Sequence, residues 1–326
     1  MFTDEQASTL QKQSRLHGFD IFHAFHTSWY NDLIEKEGHV QSGRLKKLPC
    51  LPTSTTNTGA NNAFLIGNTK YIWPFFIHWL SNKYEKGQNE SDNIDQDIDW
   101  EDGILNNNPF DNYCREMFKT ILQEYRDGNN YVGNDKNISF DIFLSDGKRY
   151  INEVIDDEGE DFLVSMQRIA TLTGSYWLDN AGSRLCVHPQ YGTWHSFRAV
   201  IVVSSKSSLP MEIKKPALPP PLPCPITKHE IDDAKLLMEF AIERSSSKGS
   251  AINMEDLKLS DHTRKCLVEN NELSKVTLQV RPSALTWINV RDCISLGRDN
   301  YRYDKEQLCY HYTRDSEILR KIILKP

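Results

Sequence analysis

Apolar positions change period several times along the chain, and each change predicts an element. Ala63-Phe-Leu-Ile66, inside Asn62–Gly67, is apolar without a break, the pattern of a strand covered on both faces. Asn68-Thr69 then offers a cap for a helix through Ser81, with Pro74 tolerated only in its first turn. Asn137-Ile-Ser-Phe-Asp-Ile-Phe-Leu-Ser145 alternates as a half-buried strand does, and Ser196–Ser204 is a second strand with a continuous apolar centre. Polar–apolar spacing predicts helices over 4–17, from Asn108 to Tyr125, and from Thr227 to Arg244. Phe162, Leu163, Met166, Ile169 and Ala170 place another between Glu160 and Trp177. Asp179–Gly182 is a turn, Ser183–His188 a short strand, and Tyr191-Gly192 a bend. Strands in hairpin succession mixed with helices predict an α+β protein with a mostly antiparallel sheet.

Two stretches break the pattern. Eight acidic residues lie between Glu85 and Asp102, so 82–108 reads as an acidic flexible insertion. Asp95, Asp97 and Asp99 imitate a calcium loop, but Trp100 stands where such a loop needs glycine and Asn106 where it needs glutamate. The Ser/Gly-rich start of 245–284 marks a second insertion. Ala217-Leu-Pro-Pro-Pro-Leu-Pro-Cys-Pro225 can enter neither helix nor ladder and reads as an extended strap, with an SH3 ligand as the functional alternative. Both insertions are read as parts of one expected domain over 1–326.

Composition then narrows the function. A net charge of −7 without a Lys/Arg cluster argues against nucleic acid. No run approaches a membrane span, the polar N-terminus lacks a signal core, and seven scattered cysteines fit reduced thiols. A cytoplasmic protein is expected.

The chemically dense stretch is Cys186-Val-His-Pro-Gln-Tyr-Gly-Thr-Trp-His-Ser-Phe-Arg198. Cys186, His188 and His195 could supply three zinc ligands, but no acidic fourth lies near. A Cys/His nucleophilic pair lacks a visible activating partner. A hairpin entering the core is the plainer alternative. Arg198 is different: it sits in an apolar strand with no acid within six residues, and a buried cation needs an anion. That anion is either a remote carboxylate of the chain or a ligand.

The stretch His188-Pro-Gln-Tyr-Gly-x-Trp-x-x-Phe-Arg198 resembles the signature of the vitamin B12-processing family of the methylmalonic aciduria and homocystinuria type C protein. Further segments follow in that family's order: Gly18-Phe-Asp-Ile-Phe, Trp29-Tyr-Asn-Asp-Leu, Ala63-Phe-Leu-Ile, Asn108-Pro-Phe-Asp-Asn and Phe140-Asp-Ile-Phe-Leu-Ser-Asp146. Ser175-Tyr-Trp, Pro223-Cys-Pro-Ile-Thr, Trp287-Ile-Asn-Val-Arg-Asp-Cys-Ile-Ser and Tyr303-Asp-Lys-Glu-Gln complete the series. The resemblance implies a flavin-nitroreductase-like α+β sandwich that binds cobalamin base-off. It also implies glutathione-dependent dealkylation of alkylcobalamins and flavin-dependent (FAD or FMN) reductive decyanation of cyanocobalamin. Carried over position by position, the cobalamin contacts are Asp146, the helix start Phe162-Leu163-Val164-Ser165, Tyr176, Trp177, Cys186 and Phe197. Cys186 is then a pocket-wall residue, not a metal ligand. Glutathione falls to Arg198, Arg291 and Arg320, with Arg314 competing for the third place.

No side chain is required as general acid or base, and cobalt is the only metal implied. Partners implied are a B12-trafficking adaptor and methionine synthase, with the chain a monomer or a ligand-induced homodimer. The sequence departs from the family where Ile169 replaces a helical histidine and Leu178 a glutamine. A non-catalytic cobalamin carrier and an ordinary flavin nitroreductase are the competing readings.

Overall fold

The computed structural model describes residues 4–38, 48–52, 62–91, 100–128, 138–150, 159–205, 217–245, 257–276 and 282–325. Its strands are β1 (Ile21–His26), β2 (Asn62–Asn68), β3 (Ile138–Leu144), β4 (Lys148–Tyr150), β5 (Glu160–Asp161), β6 (Trp177–Leu178), β7 (Cys186–Val187) and β8 (Ser196–Ser205). The helices are α1 (Asp4–Leu16), α2 (Thr27–Gly38), α3 (Ile72–Ser91), α4 (Trp100–Asn106), α5 (Pro109–Gly128) and α6 (Met166–Leu172). They continue with α7 (Lys228–Ser245), α8 (Asp261–Val276), α9 (Pro282–Asp292), α10 (Arg298–Tyr301), α11 (Lys305–Thr313) and α12 (Ser316–Ile323).

The sequence reads as one domain; the contacts sort the chain into two compact units, each assembled from three separated segments. The first unit comprises Met1–Phe76, Phe110–Ser175 and Ser196–Pro221, and the second Ile77–Pro109, Tyr176–His195 and Leu222–Pro326.

In the first unit the uninterrupted apolar runs become the sheet centre. The strand order is β1-β2-β8-β3-β4-β5, antiparallel throughout. Phe64, Leu65, Ile66, Val200 and Ile201 lose essentially all solvent contact, and each such side chain contributes about 1.5–3 kcal/mol of transfer free energy. Helix α5 turns Tyr113, Phe118, Ile121, Leu122 and Tyr125 inward; Tyr125 meets Phe140 of β3 edge-on at 5.7 Å.

The register of β2 against β8 slips between Ile66 and Gly67. A side chain at Gly67 would lie 2.5 Å from the Ser196 carbonyl oxygen, so only glycine lets the strands close there. The slip sits beside Phe197 and Arg198.

The second unit is mainly helical. Thr227 and Glu230 form a reciprocal capping box at the start of α7: the Thr227 amide donates to Glu230 Oε2 at 2.8 Å and the Glu230 amide to Thr227 Oγ1 at 3.3 Å. Leu237 and Ala241 of α7 pack on Val290 and Ile294. The Asp179 carboxylate closes the predicted turn by accepting from the amides of Gly182 and Ser183. Gly192, at φ 56°, lies where a Cβ would overlap the Leu296 carbonyl. Gly192→Ala is therefore expected to cost several kcal/mol, of order 3, by combining backbone strain with a main-chain clash. A fall in the urea midpoint checks it.

Three expectations change. Much of 82–108 is helical, because Ile104 and Leu105, hidden among Asp and Asn, give α4 an inward face; Leu105 is 2% exposed, and α4 packs on α12. The 245–284 stretch likewise holds α8, whose Cys266 and Asn270 are buried against the rest of the unit. Residues 92–99, with the calcium-like acids, lie outside the described residues. Finally, the helix expected over 160–177 occupies only Met166–Leu172, and the strand Ser183–His188 only Cys186–Val187. In the latter, the amides of 182 and 183 are taken by Asp179 instead of a neighbouring strand.

Candidate functional site

Arg198 points from the middle of the sheet and is 8% exposed. Its Nε donates to Asn68 Oδ1 at 2.6 Å, and its guanidinium carbon lies 4.6 Å from the centroid of the Phe110 ring. Among the described residues no carboxylate comes within ion-pair distance of it, and its Nη atoms make no hydrogen bond. The remote salt bridge that a buried arginine would ordinarily demand is replaced by a neutral amide and a ring face. Asn68, expected as a helix cap, instead ends β2 and is itself fully buried. Its Nδ2 donates to Thr69 O at 2.7 Å, and the Thr69 amide donates to Asp20 Oδ1 at 2.7 Å. The chain Asp20–Thr69–Asn68 thus fixes the amide that aims the guanidinium.

Asp146 lies in the β3–β4 turn, where Oδ1 accepts from the Lys148 amide at 3.0 Å and Oδ2 from Arg115 Nη2 at 2.6 Å. The Phe162–Ser165 segment runs alongside this turn, with the Phe162 amide donating to Gly147 O at 2.7 Å. It is extended, not helical: Ser165 is the N-cap of α6, and its amide donates to Tyr30 Oη at 3.2 Å. Phe162 rests on Phe143 at 4.9 Å, Val164 is buried, and Leu163 is 61% exposed. An exposed leucine held between two anchored neighbours is a ready apolar contact for a ligand. Phe197 lies opposite Gly67 in the β2–β8 pair. In the same unit His23 of β1 approaches Ser175 Oγ at 3.4 Å, and burial lowers its pKa to about 4, so it is neutral at pH 7.

In the second unit, Trp177 pairs with Val187 and Leu178 with Cys186. Tyr176 is buried, with His188 at 4.8 Å and His195 at 5.1 Å from its ring. His188 Nδ1 accepts from the amides of Gln190 and Tyr191, and its ring stacks on Tyr191 at 4.2 Å. That imidazole is committed to shaping the bend. Burial pushes the Cys186 thiol far above its ordinary pKa, which suits a wall residue and not a nucleophile. Among the described residues no group of three or more His, Cys, Asp and Glu could hold a metal ion.

Arg291, in the last turn of α9, also lacks a carboxylate partner among the described residues. Its Nε donates to Thr193 O at 3.0 Å, and Nη2 donates to Thr193 O and to His195 O at 3.2 Å. Nη1 reaches Tyr312 Oη at 3.4 Å, and the Trp194 ring lies 4.3 Å away. Thr193 Oγ1 returns a hydrogen bond to Arg291 O. The neighbouring acid, Asp292, turns away: fully buried, it accepts from Arg298 Nε at 3.1 Å, Arg302 Nε at 3.0 Å and Asn270 Nδ2 at 2.9 Å. Arg320 of α12 pairs with Glu317 one turn earlier, and Arg314 lies 5.8 Å over Tyr310. The first unit therefore groups Asp146 with Phe162–Ser165 and, separately, Phe197 with Arg198. The second places Tyr176, Trp177 and Cys186 on one hairpin and Arg291 beneath Thr193–His195. Asn68, Phe110 and the carbonyls of Thr193 and His195 complete these arrangements.

No family model matches the sequence, and no curated protein matches it. Among solved structures, the C. elegans B12-trafficking protein CblC, described as a human MMACHC homologue, matches with a TM-score of 0.51 at 14% identity. The match covers 97% of this chain and 95% of that one. The chain thus has the fold of that protein, a nitroreductase-type arrangement of helices and antiparallel sheet.

Proposed function

We propose that the chain processes cobalamin: it binds alkyl- and cyanocobalamin base-off and removes the upper ligand, delivering the reduced cofactor to B12 enzymes through an adaptor. The observation that carries the reading is the pair of arginines, Arg198 and Arg291, each held by neutral oxygens and aromatic rings on a chain that shares the fold of a B12-trafficking protein. A cobalamin carrier has no use for uncompensated cations; a site for glutathione, with its two carboxylates, does. The reading assigns glutathione to Arg198 and Arg291, with Arg320 third. It assigns the corrin to Asp146, Phe162, Leu163, Val164, Ser165, Tyr176, Trp177, Cys186 and Phe197. Exposed Leu163 and the rings of Phe162, Tyr176 and Trp177 suit a broad, partly apolar disc, and Asp146 suits its amide arms.

In dealkylation, the glutathione thiolate attacks the cobalt-bound carbon, the new S–C bond forms, and the Co–C electron pair leaves with cobalt as cob(I)alamin. The protein's part is to hold the carboxylates, orient the thiolate and keep water out. No side-chain proton transfer is needed. Decyanation would draw electrons from FAD or FMN; no described residue is assigned to a flavin, and Ile169 occupies the position of the family's histidine, so the dealkylase arm is the better supported.

Anaerobic absorbance titration with methylcobalamin, then glutathione, tests the reading. A base-off shift followed by cob(I)alamin is expected, and the second step should be lost in Arg198→Ala and Arg291→Ala. Undiminished turnover in both variants removes glutathione from these arginines. A base-off shift without turnover in the unmodified chain makes the protein a carrier, and no shift removes cobalamin.

A further inference from the structure

The strap Ala217–Pro225 has five prolines in nine residues, and its solvent exposure repeats with period three. Pro219, Leu222 and Pro225 are partly covered, whereas Ala217, Leu218, Pro220, Pro221, Pro223 and Cys224 are exposed. Three residues per turn is the repeat of a polyproline II helix, and among the described residues the strap makes no backbone hydrogen bond, as that helix requires. Such a helix has three ridges. One here lies against the protein: a Cβ at Gly174 would come within 3.0 Å of Pro219 Cβ, so that glycine lets the strap seat closely.

The other two ridges, Ala217/Pro220/Pro223 and Leu218/Pro221/Cys224, face solvent, with Leu218 53% exposed. Domains that read polyproline II grip two adjacent ridges in slots between aromatic rings and leave the third outward. The strap offers that complement already formed, its third ridge anchored and its conformational entropy lost on folding. Ala217–Pro225 itself carries no charge; the nearest lysines, Lys215 and Lys228, lie outside it. A groove of stacked aromatic rings is filled by the strap's own residues; an SH3 groove adds an acidic pocket, whose basic anchor the strap itself does not supply.

We infer that the strap is a docking ligand for a WW-type domain, independently of the cobalamin reading. The test titrates the full chain into an isotope-labelled WW domain of the class that takes Pro-Pro-Leu-Pro, with an SH3 domain alongside. Shifts confined to the WW aromatic groove are expected. They should weaken about tenfold or more in Pro220→Ser/Pro223→Ser, a loss of roughly 1.4 kcal/mol or more, while the exposed positions leave the thermal midpoint of the full chain unchanged. Absence of shifts, shifts unaltered by the double substitution, or binding by the SH3 domain alone would overturn the inference.

Discussion

Glutathione affinity is expected to fall about 30–100-fold in an Asn68→Asp variant, the counterpart of losing about 2–3 kcal/mol of charge-assisted hydrogen bonding. Asn68 Oδ1 lies 2.6 Å from Arg198 Nε and is held from behind by Thr69 and Asp20. As an amide it orients the guanidinium without spending its charge, leaving Nη1 and Nη2 for an incoming carboxylate. An aspartate at the same place supplies the counter-ion from within. The incoming carboxylate would then displace or share an ion pair already satisfied. The two properties should part company: the variant unfolds at a temperature equal to or above the parent, while binding collapses. Asn68→Ala, which leaves Arg198 unaimed and without its acceptor, should weaken both. Calorimetric titration of glutathione into the cobalamin-loaded protein, with parallel thermal unfolding, separates these outcomes. Equal affinity in the parent and Asn68→Asp proteins would show that Arg198 does not meet the ligand.

Why Arg198 was legible in the sequence and Asn68 was not follows from what each feature depends on. A cation flanked by Phe197 and an apolar run announces its need for an anion locally. Its partner lies 130 residues away, brought there by the antiparallel pairing of β2 with β8 and by the slip at Gly67. Register and bulge are properties of two strands together, and neither strand alone encodes them. Asn68 beside Thr69 also imitates a helix cap, a local reading that the sheet overrides.

The same distinction runs through the fold. Unbroken apolar runs such as Phe64–Ile66 and Val200–Val203 declare buried strands because burial on both faces needs no partner to be recognised. Helix α5 declares itself through its spaced aromatic residues. Helices α4 and α8 did not, because their apolar faces are narrow and set among Asp, Asn, Glu and Lys. Their order comes from packing on α12 and α9, a tertiary contribution that composition hides. The Arg291 cage is the extreme case, since Thr193 and His195 hold it through main-chain carbonyls, which leave no mark in a sequence.

Asp292 gives the largest stability effect expected of a single side chain. It is 0% exposed, and its two oxygens receive Arg298, Arg302 and Asn270 at 2.9–3.1 Å. Replacing it with alanine deprives two guanidinium groups of their buried counter-ion and leaves Asn270 Nδ2 with Asn289 Oδ1 as its remaining acceptor. Breaking a buried pair in this way costs about 3–5 kcal/mol, more than the pair contributes over an apolar substitute, and the 15% and 22% side-chain exposure of Arg298 and Arg302 places the loss at the lower end of that range. Arg298 is shared with Glu269, which is 45% exposed at its side chain, and pairs of that kind are worth about 0–1 kcal/mol. Glu269→Ala is the control for arginine contact without burial. Urea unfolding should therefore show a large fall in midpoint for Asp292→Ala and a small one for Glu269→Ala. Comparable small shifts would mean that Arg298 and Arg302 reach solvent once released and that the network is not closed. Because Asp292 ends α9 directly after Arg291, the same substitution should also loosen the Thr193 and His195 carbonyls' hold on that arginine, joining the stability of the unit to the residue proposed to take a glutathione carboxylate.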